Sequence, residues 1–494
     1  MDNSIMSLRG ALDQIRNSPK QYVETDVEAD PYLEIAGIYR KVGGGGTVMR
    51  PTKLNGPAMM FNNIKGYPGK RIVIGVMGSR SRMGLYMDTP PGQLAFQLSR
   101  CVNNPIQPVF VQGDKALCQE VVHKADDPDF DIKKILPVVQ TSDEDPAPCI
   151  TMGLVRAQDP ETGTSDVTMH RMFVQDVKDE ITILAEAKVG RHIGMMIEKA
   201  EKMNVALPIT VSIGVDPAIY MCTCFTPPTT PYGFDELSIA GALRGQAVEL
   251  AKCITVNGAG VANAEYVIEG EVVPGRRVRE DKLTGSGNGL AEFAGYTGDA
   301  HSVCVIKIKA ITHRIDPIYQ TCIGPSEEHV NMAGIPVEAC ILNMTERSIP
   351  GRVKNVYAHS SGGGKFMAVM QIDKEVARHE GIQRQAALVA FSTFSELKHI
   401  ILVDDDVDIF DTSDVLWAMN TRYQGDIDTV FLPGTFAHSA DPSAWPYYSP
   451  NIRGGGVSCK TFFDCTVPFE LRDKFKRPQF ADVDVRKFIP DFEE

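Results

Sequence analysis

The feature that most constrains the fold is the central stretch from 149 to 315, where strand patterns dominate. Apolar and polar residues alternate in several segments, which is the period of a half-buried β-strand. Two segments of helical periodicity, 192–204 and 234–246, interrupt them. A strand-rich core with inserted helices predicts a barrel or sandwich that carries a site on its interior face. The strand segments are DVTMHRMFVQD (166–176), ALPITVSIGV (206–215), AEYVIEGEVV (264–273) and SVCVIKIKAITHR (302–314).

The flanking regions mix helices and strands. RIVIGVMG (71–78) predicts a strand and GQLAFQLSRCVNN (92–104) a helix, and from 327 onward helical and strand patterns alternate, which is typical of an α/β domain. Beyond 430, Pro, Gly and Asp are frequent and we expect irregular structure. The 494 residues exceed the roughly 250–300 that one core supports. We therefore predict an α+β chain of several domains, with a first boundary between about 105 and 145.

Charge and composition narrow the function classes. The formal net charge of −13 argues against nucleic-acid binding, which normally needs a basic face. The 11 cysteines are scattered and odd in number, so we expect mostly buried, reduced thiols. No segment approaches the roughly 20 apolar residues of a membrane span, and the first residues lack the apolar core of a secretory signal. We expect a cytoplasmic protein that does not bind membranes.

The segment SDVTMHR (165–171) is the strongest candidate site. On a regular strand, Asp166, Thr168 and His170 share one face, and Arg171 points to the other. Three oxygen- or nitrogen-bearing side chains on one strand face suit a binding site, but a solvent-facing edge strand is equally polar. The pattern alone leaves both interpretations open.

Two further residues extend this candidate site. His192 opens one predicted helix and Glu236 lies in the first turn of another. Carboxylate and imidazole together suit a divalent metal of intermediate hardness such as Mn²⁺, whereas Mg²⁺ prefers oxygen ligands. Each residue alone has an ordinary explanation, because acidic residues at helix starts favour the helix dipole.

Three other clusters carry alternatives. In GPSEEH (324–329), Ser326 and the two glutamates can simply cap a helix, which leaves His329 less well explained. In 404–408, the acidic run DDDVD could bind a cation, but such a run more often ends a strand and caps the next helix. In HSSGGGK (359–365), Lys365 enters a strand and not a helix, so the segment is no P-loop. It could instead be a mobile loop that brings a cation to an anionic substrate.

Taken together, ten blocks in order resemble the UbiD family of reversible, non-oxidative decarboxylases that use prenylated FMN. The resemblance covers essentially the whole chain and is strongest to members that act on hydroxylated benzoic acids. The blocks are GPAMMFNNIKGYPG (56–69), DVTMHR (166–171), GRHI (190–193), VDPAIY (215–220), PTTPYGFDELSIAGALR (228–244), AEFAGY (291–296), GPSEEH (324–329), YAHSSGGGKF (357–366), IILVDDDVDIFD (400–411) and SCKTFFDCTVPFE (458–470).

The resemblance implies a cofactor and the residues that hold it. By analogy with the family, Asp166, His192 and Glu236 would bind Mn²⁺ (or Mg²⁺) against the cofactor phosphate, with K⁺ nearby on ligands that we do not assign. Many members have Asn in place of Asp166, and the added negative charge here should tighten metal binding. The resemblance also implies cofactor contacts from Thr168, Met169, Arg171 and Arg191.

It further implies a catalytic set. Arg171 would pair with two acids that flank the flavin. Glu292 matches the second acid and Glu280 the first, with Asp281 as the rival of Glu280. An acid kept protonated by burial can deliver the proton that replaces CO₂. His329, Lys365 and His438 fit members that act on phenols. Since Arg171 and Asp166 lie on opposite faces of a regular strand, we expect a bulge or bend between them.

The resemblance finally implies the architecture and partners. We expect an N-terminal α/β domain (1–120), a split β-barrel domain that binds prenylated FMN (121–320), and a C-terminal α/β domain with an oligomerisation tail (321–494). A flavin prenyltransferase would supply the cofactor, and the protein would be a homodimer or homohexamer. The expected reaction converts 3,4-dihydroxybenzoate to catechol, or gallate to pyrogallol, with release of CO₂ through a covalent adduct with the cofactor.

Three alternatives remain open at this stage. The first is a decarboxylase of the same family that acts on another aromatic or heteroaromatic acid. The second is a flavin-binding protein without catalysis, against which Arg171 and Glu292 argue. The third is an unrelated metal-dependent hydrolase, for which the sequence lacks HExxH or clustered histidine ligands.

Overall fold

The computed structural model describes residues 6–18, 20–45, 52–185, 191–444 and 456–490. The helices are α1 (Leu8–Ile15), α2 (Glu34–Tyr39), α3 (Arg80–Tyr86), α4 (Leu94–Asn103), α5 (Ile132–Ile135), α6 (His192–Lys202), α7 (Pro217–Cys222), α8 (Leu237–Arg244), α9 (Glu327–Ser348), α10 (Ile382–Thr393) and α11 (Thr412–Arg422). The strands of the first half are β1 (Tyr22–Thr25), β2 (Ala58–Phe61), β3 (Arg71–Ile74), β4 (Val109–Val111), β5 (Val121–Lys124), β6 (Cys149–Ile150), β7 (Leu154–Gln158), β8 (Ser165–Met169), β9 (Met172–Phe173), β10 (Glu180–Ile183) and β11 (Leu207–Ile213). Those of the second half are β12 (Glu249–Lys252), β13 (Ala259–Val261), β14 (Tyr266–Arg279), β15 (Asn288–Ala291), β16 (Thr297–Asp299), β17 (Ser302–His313), β18 (Ile318–Thr321), β19 (Val353–Ala358), β20 (Met367–Ile372), β21 (His399–Asp404), β22 (Thr429–Phe436) and β23 (Val457–Cys465).

The N-terminal layer is a small mixed sheet in the order β1-β2-β3-β18. Its last strand comes from residues 318–321, after the central region, so this layer is not built from the first 120 residues alone. The predicted division at 120 and 320 stays a prediction. Helix α1 begins at the capping residue Ser7, whose hydroxyl accepts a hydrogen bond from the Gly10 amide, and buries its apolar side.

The central region contains a seven-stranded sheet, as the alternating segments predicted. Its path runs β10-β17-β14-β11-β7-β8, and β5 also pairs with β17. The path begins at β10 and ends at β8, and no ladder among the described residues joins these two strands, so the sheet is open. Two register shifts bend the long strand β14 against β17, after Glu269 and after Val272. The predicted helices at 192–204 and 234–246 form as α6 and α8.

The C-terminal region is a five-stranded sheet in the order β19-β20-β21-β23-β22. The expectation of irregular structure beyond 430 is wrong, because β22 and β23 lie there and complete this sheet. Pro433 and Gly434 hid β22 from sequence reasoning; the structure accommodates them on an edge strand with a register shift between Leu432 and Thr435. Beyond β23 the described residues form only short helical turns and extended chain.

The cysteine prediction is confirmed: all 11 are unpaired, and most are buried. In the described part of the chain, no helix is both long and apolar enough to cross a membrane.

Candidate active site and metal centre

The three predicted metal ligands converge at one end of the central sheet. Asp166 lies on β8, His192 is the first residue of α6, and Glu236 is in the N-cap position of α8. His192 Nδ1 is 2.8 Å from Asp166 Oδ1. One ligand atom from each of the three residues lies within 4.8 Å of the others. Strand β8 and the starts of helices α6 and α8 therefore bring three potential metal-ligand atoms to one point.

Glu236 gives this cluster the chemistry of a metal centre. It is buried, and its Oε2 has no hydrogen-bond partner among the described residues. Burial, and then the charge of nearby Asp166, raise the pKa of Glu236 well above its usual range. A divalent cation would satisfy the orphaned oxygen and neutralise both carboxylates. The two carboxylates and one imidazole fit Mn²⁺.

A cavity of about 260 Å³ lies beside this cluster. Thr168 and Arg191, both predicted cofactor contacts, line it. Met169 instead packs, half-buried, against the main hydrophobic core, so its predicted cofactor contact stays a prediction. The rest of the wall comes from two segments of the chain, 223–227 and 392–396.

The expected break in the strand occurs between Asp166 and Arg171. Strand β8 ends at Met169 and β9 begins at Met172, where the chain leaves β7 and pairs with β6. His170 turns away from the cavity: its Nδ1 is 2.8 Å from the Leu184 carbonyl oxygen, and burial lowers its pKa to about 4. The break frees Arg171 to point in a direction that strand alternation would not allow.

Arg171 lies between two carboxylates. Its Nε and Nη2 each donate to Glu280 over 3.1 Å, and its Nη1 donates to Glu292. Burial opposes the charged form, but Glu292 and Glu280 hold the pKa of Arg171 above its ordinary value. Glu280 is almost fully buried and also accepts from the His301 amide, whereas the Glu292 side chain is 25% exposed. The two acids therefore differ in their access to a ligand.

The geometry separates the two candidates for the first acid. Asp281 accepts from Arg279 Nε at 2.9 Å and from the Gly287 amide at 2.8 Å, so its hydrogen bonds go to its own loop. Glu280 is the residue that reaches Arg171. Gly289 lies beside this pair: a Cβ there would lie 2.6 Å from the Asp299 carbonyl oxygen and 3.4 Å from Arg171 Nη2.

The predicted phenol-binding residues surround one aromatic ring. Phe293, directly after Glu292, is buried, and Lys365 Nζ lies 4.8 Å from the centre of its ring. The ring centres of His438 and His329 lie 5.0 and 6.1 Å from that of Phe293, both edge-on. Phe366 packs against it at 4.8 Å. We call Lys365, His329 and His438 the polar cluster. It lies next to the acid pair, because Glu292 and Phe293 are consecutive in the chain.

The acidic candidates at the start of α9 make structural hydrogen bonds. Glu328 accepts from the Gly75 and Met77 amides, and Glu327 accepts from the Thr52 and Ser360 hydroxyls. Ser326 occupies the N-cap position of α9 with both glutamates in the first turn, as the ordinary interpretation predicted, although its side chain makes no capping hydrogen bond.

The acidic run at 404–408 ends β21, as the ordinary interpretation predicted. Asp404 and Asp406 both pair with Arg422 of α11, and Asp411 caps that helix.

Sequence reasoning missed Glu396. Its carboxylate lies 3.5 Å from each of Arg191, Lys365 and His438. A single glutamate in the segment FSELKH gives no signal, because its partners come from three distant parts of the chain. Only the folded structure brings them together.

The fold and this site define a class of protein, the UbiD carboxy-lyases, and family models match the chain accordingly. The 3-octaprenyl-4-hydroxybenzoate carboxy-lyase N-terminal domain matches residues 14–102, the Rift-related domain 109–327 and the C-terminal domain 330–465. The chain belongs to the UbiD family.

Among particular relatives, the gallate decarboxylase of Lactiplantibacillus plantarum is 50% identical over 98% of both chains. The apo structure of Klebsiella pneumoniae 3,4-dihydroxybenzoic acid decarboxylase (AroY) is 51% identical, with a TM-score of 0.93 over 99% of both chains. An evolved dimeric form of the UbiD-class enzyme HmfF from Pelotomaculum thermopropionicum, in complex with prFMN, is 31% identical, with a TM-score of 0.82 over 98% of this chain and 100% of that one.

Proposed function

We propose that this chain catalyses the reversible, non-oxidative decarboxylation of a hydroxylated benzoic acid. The substrate is 3,4-dihydroxybenzoate, which gives catechol, or gallate, which gives pyrogallol. The observation that carries the proposal is Arg171 held between Glu280 and Glu292, next to the polar cluster around Phe293. Two relatives, a gallate decarboxylase and a 3,4-dihydroxybenzoic acid decarboxylase, are each about half identical to this chain. The substrates in their names support the same substrate class.

The cofactor in this proposal is prenylated FMN. Asp166, His192 and Glu236 would hold Mn²⁺ (or Mg²⁺), and the metal, with Thr168 and Arg191, would hold the cofactor phosphate. K⁺ would bind nearby. When bound, prenylated FMN supplies the electron sink that side chains lack, since an aryl carbanion is too basic to form in neutral water. The prFMN-bound relative supports this assignment.

The acid pair would control charge and proton delivery. Arg171 stabilises negative charge that develops beside it, and it is fixed in place by the buried Glu280. Glu292 is the more exposed of the two acids and so is the one that can reach a ligand. We assign Glu292 as the acid that gives a proton to the ring carbon that loses CO₂.

The polar cluster would bind the phenolic oxygens. Burial lowers the pKa of His438 to about 4, so its imidazole is neutral at pH 7. His438 Nδ1 accepts from the Ala440 amide, which leaves the proton on Nε2 for donation. With Lys365 and His329, this N–H would stabilise a phenolic oxygen that gains negative charge. A heteroaromatic acid without hydroxyls would give Lys365 and His438 no oxygen to bind.

Partners and location follow from the same family assignment. We propose a cytoplasmic homodimer or homohexamer that receives its cofactor from a flavin prenyltransferase.

The direct test is co-expression with a flavin prenyltransferase. We expect the purified protein to carry bound cofactor by ultraviolet–visible spectrum and mass, and to release CO₂ from 3,4-dihydroxybenzoate or gallate. A heteroaromatic acid in the same panel serves as the comparison substrate. A protein that binds no flavin, or a loaded protein that releases CO₂ only from the heteroaromatic acid, would contradict the proposal.

A further inference from the structure

Glu396 lies on the short loop between α10 and β21, and both flanks of this loop are fixed. Lys460 Nζ donates to the Ser395 carbonyl over 2.6 Å and to the Leu397 carbonyl. On the other side, the amides of Lys398 and His399 donate to the Phe366 carbonyl over 2.9 and 2.8 Å. The backbone around Glu396 therefore has little freedom to move, and its carboxylate is delivered to a defined place.

That place is the centre of three basic groups. Arg191 Nη2, Lys365 Nζ and His438 Nε2 each lie 3.5 Å from a Glu396 carboxylate oxygen. Burial raises the pKa of Glu396, but the positive charges of Lys365 and Arg191, with His438 contributing only when it is protonated, lower it to about 2, so the carboxylate is charged at neutral pH. Its side chain is only 19% exposed, so these attractions are poorly screened by water.

The three partners belong to the two halves of the site. Arg191 precedes the predicted metal ligand His192 and lines the cavity beside it. Lys365 and His438 instead contact the ring of Phe293, next to Glu292. Glu396 faces both groups and is the shared anion between them.

We infer that Glu396 is a positioning residue that holds Lys365 and His438 in the orientation needed to bind a phenolic oxygen, and ties them to Arg191 at the metal end of the cavity. This inference rests on the proposed function, because the phenolic oxygen belongs to the proposed substrate. Glu396 acts through its basic neighbours and need not touch the substrate itself. It is therefore a determinant of preference for hydroxylated rings.

The test compares Glu396→Gln and Glu396→Asp with wild-type enzyme loaded with cofactor. Glu396→Gln keeps the shape but removes the charge, so we expect KM for 3,4-dihydroxybenzoate or gallate, whichever wild type turns over, to rise about tenfold with kcat changed less. Catechol should bind about tenfold more weakly in calorimetry, whereas benzoate, which lacks hydroxyls, should bind as in wild type. Glu396→Asp should recover part of the loss.

The matched control is Glu180→Gln. Glu180 pairs with Arg276 and Lys307 on the central sheet, so its loss should leave KM and catechol binding unchanged. Equal weakening of catechol and benzoate by Glu396→Gln, or no weakening of either, would overturn the positioning role.

A pH profile adds a second readout. His438 faces Arg191, Lys365 and Asp441 as well as Glu396, and Glu396 is the largest influence that raises its pKa. If protonation of His438 causes the loss of activity on the acidic side of the pH profile, Glu396→Gln should therefore shift that loss to lower pH. A shift to higher pH would contradict the arrangement. Wild-type enzyme that releases no CO₂ from 3,4-dihydroxybenzoate or from gallate would instead refute the proposed function, and with it the role of Glu396.

Discussion

At the scale of the residue, the candidate site was predictable where a family motif carries it, and not elsewhere. Asp166, His192 and Glu236 were each ambiguous alone, and the family resemblance joined them; the structure then places their ligand atoms together. The choice between Glu280 and Asp281 needed the path of the loop after β14, which no periodicity reveals. Glu396 could not be found, because its significance depends on partners brought together only by folding.

The metal ligands give a prediction at this scale. Asp166→Asn removes one negative charge from the cluster, so we expect Mn²⁺ affinity to fall by about tenfold or more, with a smaller fraction of the protein holding flavin. Metal content by mass spectrometry and flavin absorbance measure this. Asp235→Asn is the control, because Asp235 lies nearby but belongs to an ion pair with Arg156. Equal metal loss in both variants would contradict the assignment of Asp166.

At the scale of the element, periodicity predicted the strands and helices whose patterns are regular. β11, β14 and β17 alternate, and α6 and α8 show helical spacing, so all five were anticipated. β22 was missed because Pro and Gly resemble a loop in sequence, although an edge strand tolerates them. The bend after β8 was predicted only because two roles on opposite faces of one strand were incompatible.

Helix α9 provides an element-scale prediction about pH. Glu328, in its first turn, is fully buried; burial raises its pKa to about 7 from the 4.5 of a free glutamate, despite hydrogen bonds from the Gly75 and Met77 amides. The folded chain therefore binds this proton more tightly than the unfolded chain does. Its stabilising contribution is complete below about pH 4.5 and is lost as the pH rises through about 7.

The expected loss is about 3 kcal/mol over this interval. Glu328→Gln cannot titrate, so we expect its melting temperature to vary less between pH 5 and 7.5 than that of the wild type. Melting temperatures at several pH values test this. The change of melting temperature with pH is informative even if the variant is less stable at every pH. An identical change in both proteins would exclude Glu328 as the cause of the pH dependence.

At the scale of the whole molecule, buried ion pairs join distant parts of the chain. Arg80 of α3 donates to both oxygens of Glu338 on α9, over 2.9 and 2.6 Å, and Glu338 is completely buried. This pair links the regions matched by the N-terminal and C-terminal family models. Sequence patterns cannot reveal such a pairing, because neither residue belongs to a local motif.

Removing one partner of this pair should therefore destabilise the molecule. Arg80→Met leaves a buried, unpaired carboxylate, so we expect a loss of about 3–5 kcal/mol in the free energy of unfolding. Lys65→Met breaks the exposed pair with Asp30 and should change stability far less, because exposed ion pairs contribute little. Urea denaturation of both variants measures the difference. Similar midpoints for the two would contradict a structural role for the Arg80–Glu338 pair.

We propose that Glu292, beside Arg171, exchanges a proton with the ring carbon that carries the carboxylate in the substrate. The most direct measurement follows hydrogen–deuterium exchange into catechol or pyrogallol in D₂O by nuclear magnetic resonance, using protein loaded with cofactor. In the wild type we predict exchange at the catechol carbon para to a hydroxyl, or at the pyrogallol carbon para to the central hydroxyl. Glu292→Gln with cofactor bound should slow it by about 10²-fold or more, whereas Glu271→Gln, which breaks a surface pair with Lys309, should leave it unchanged. Full-rate exchange in cofactor-loaded Glu292→Gln would contradict the account.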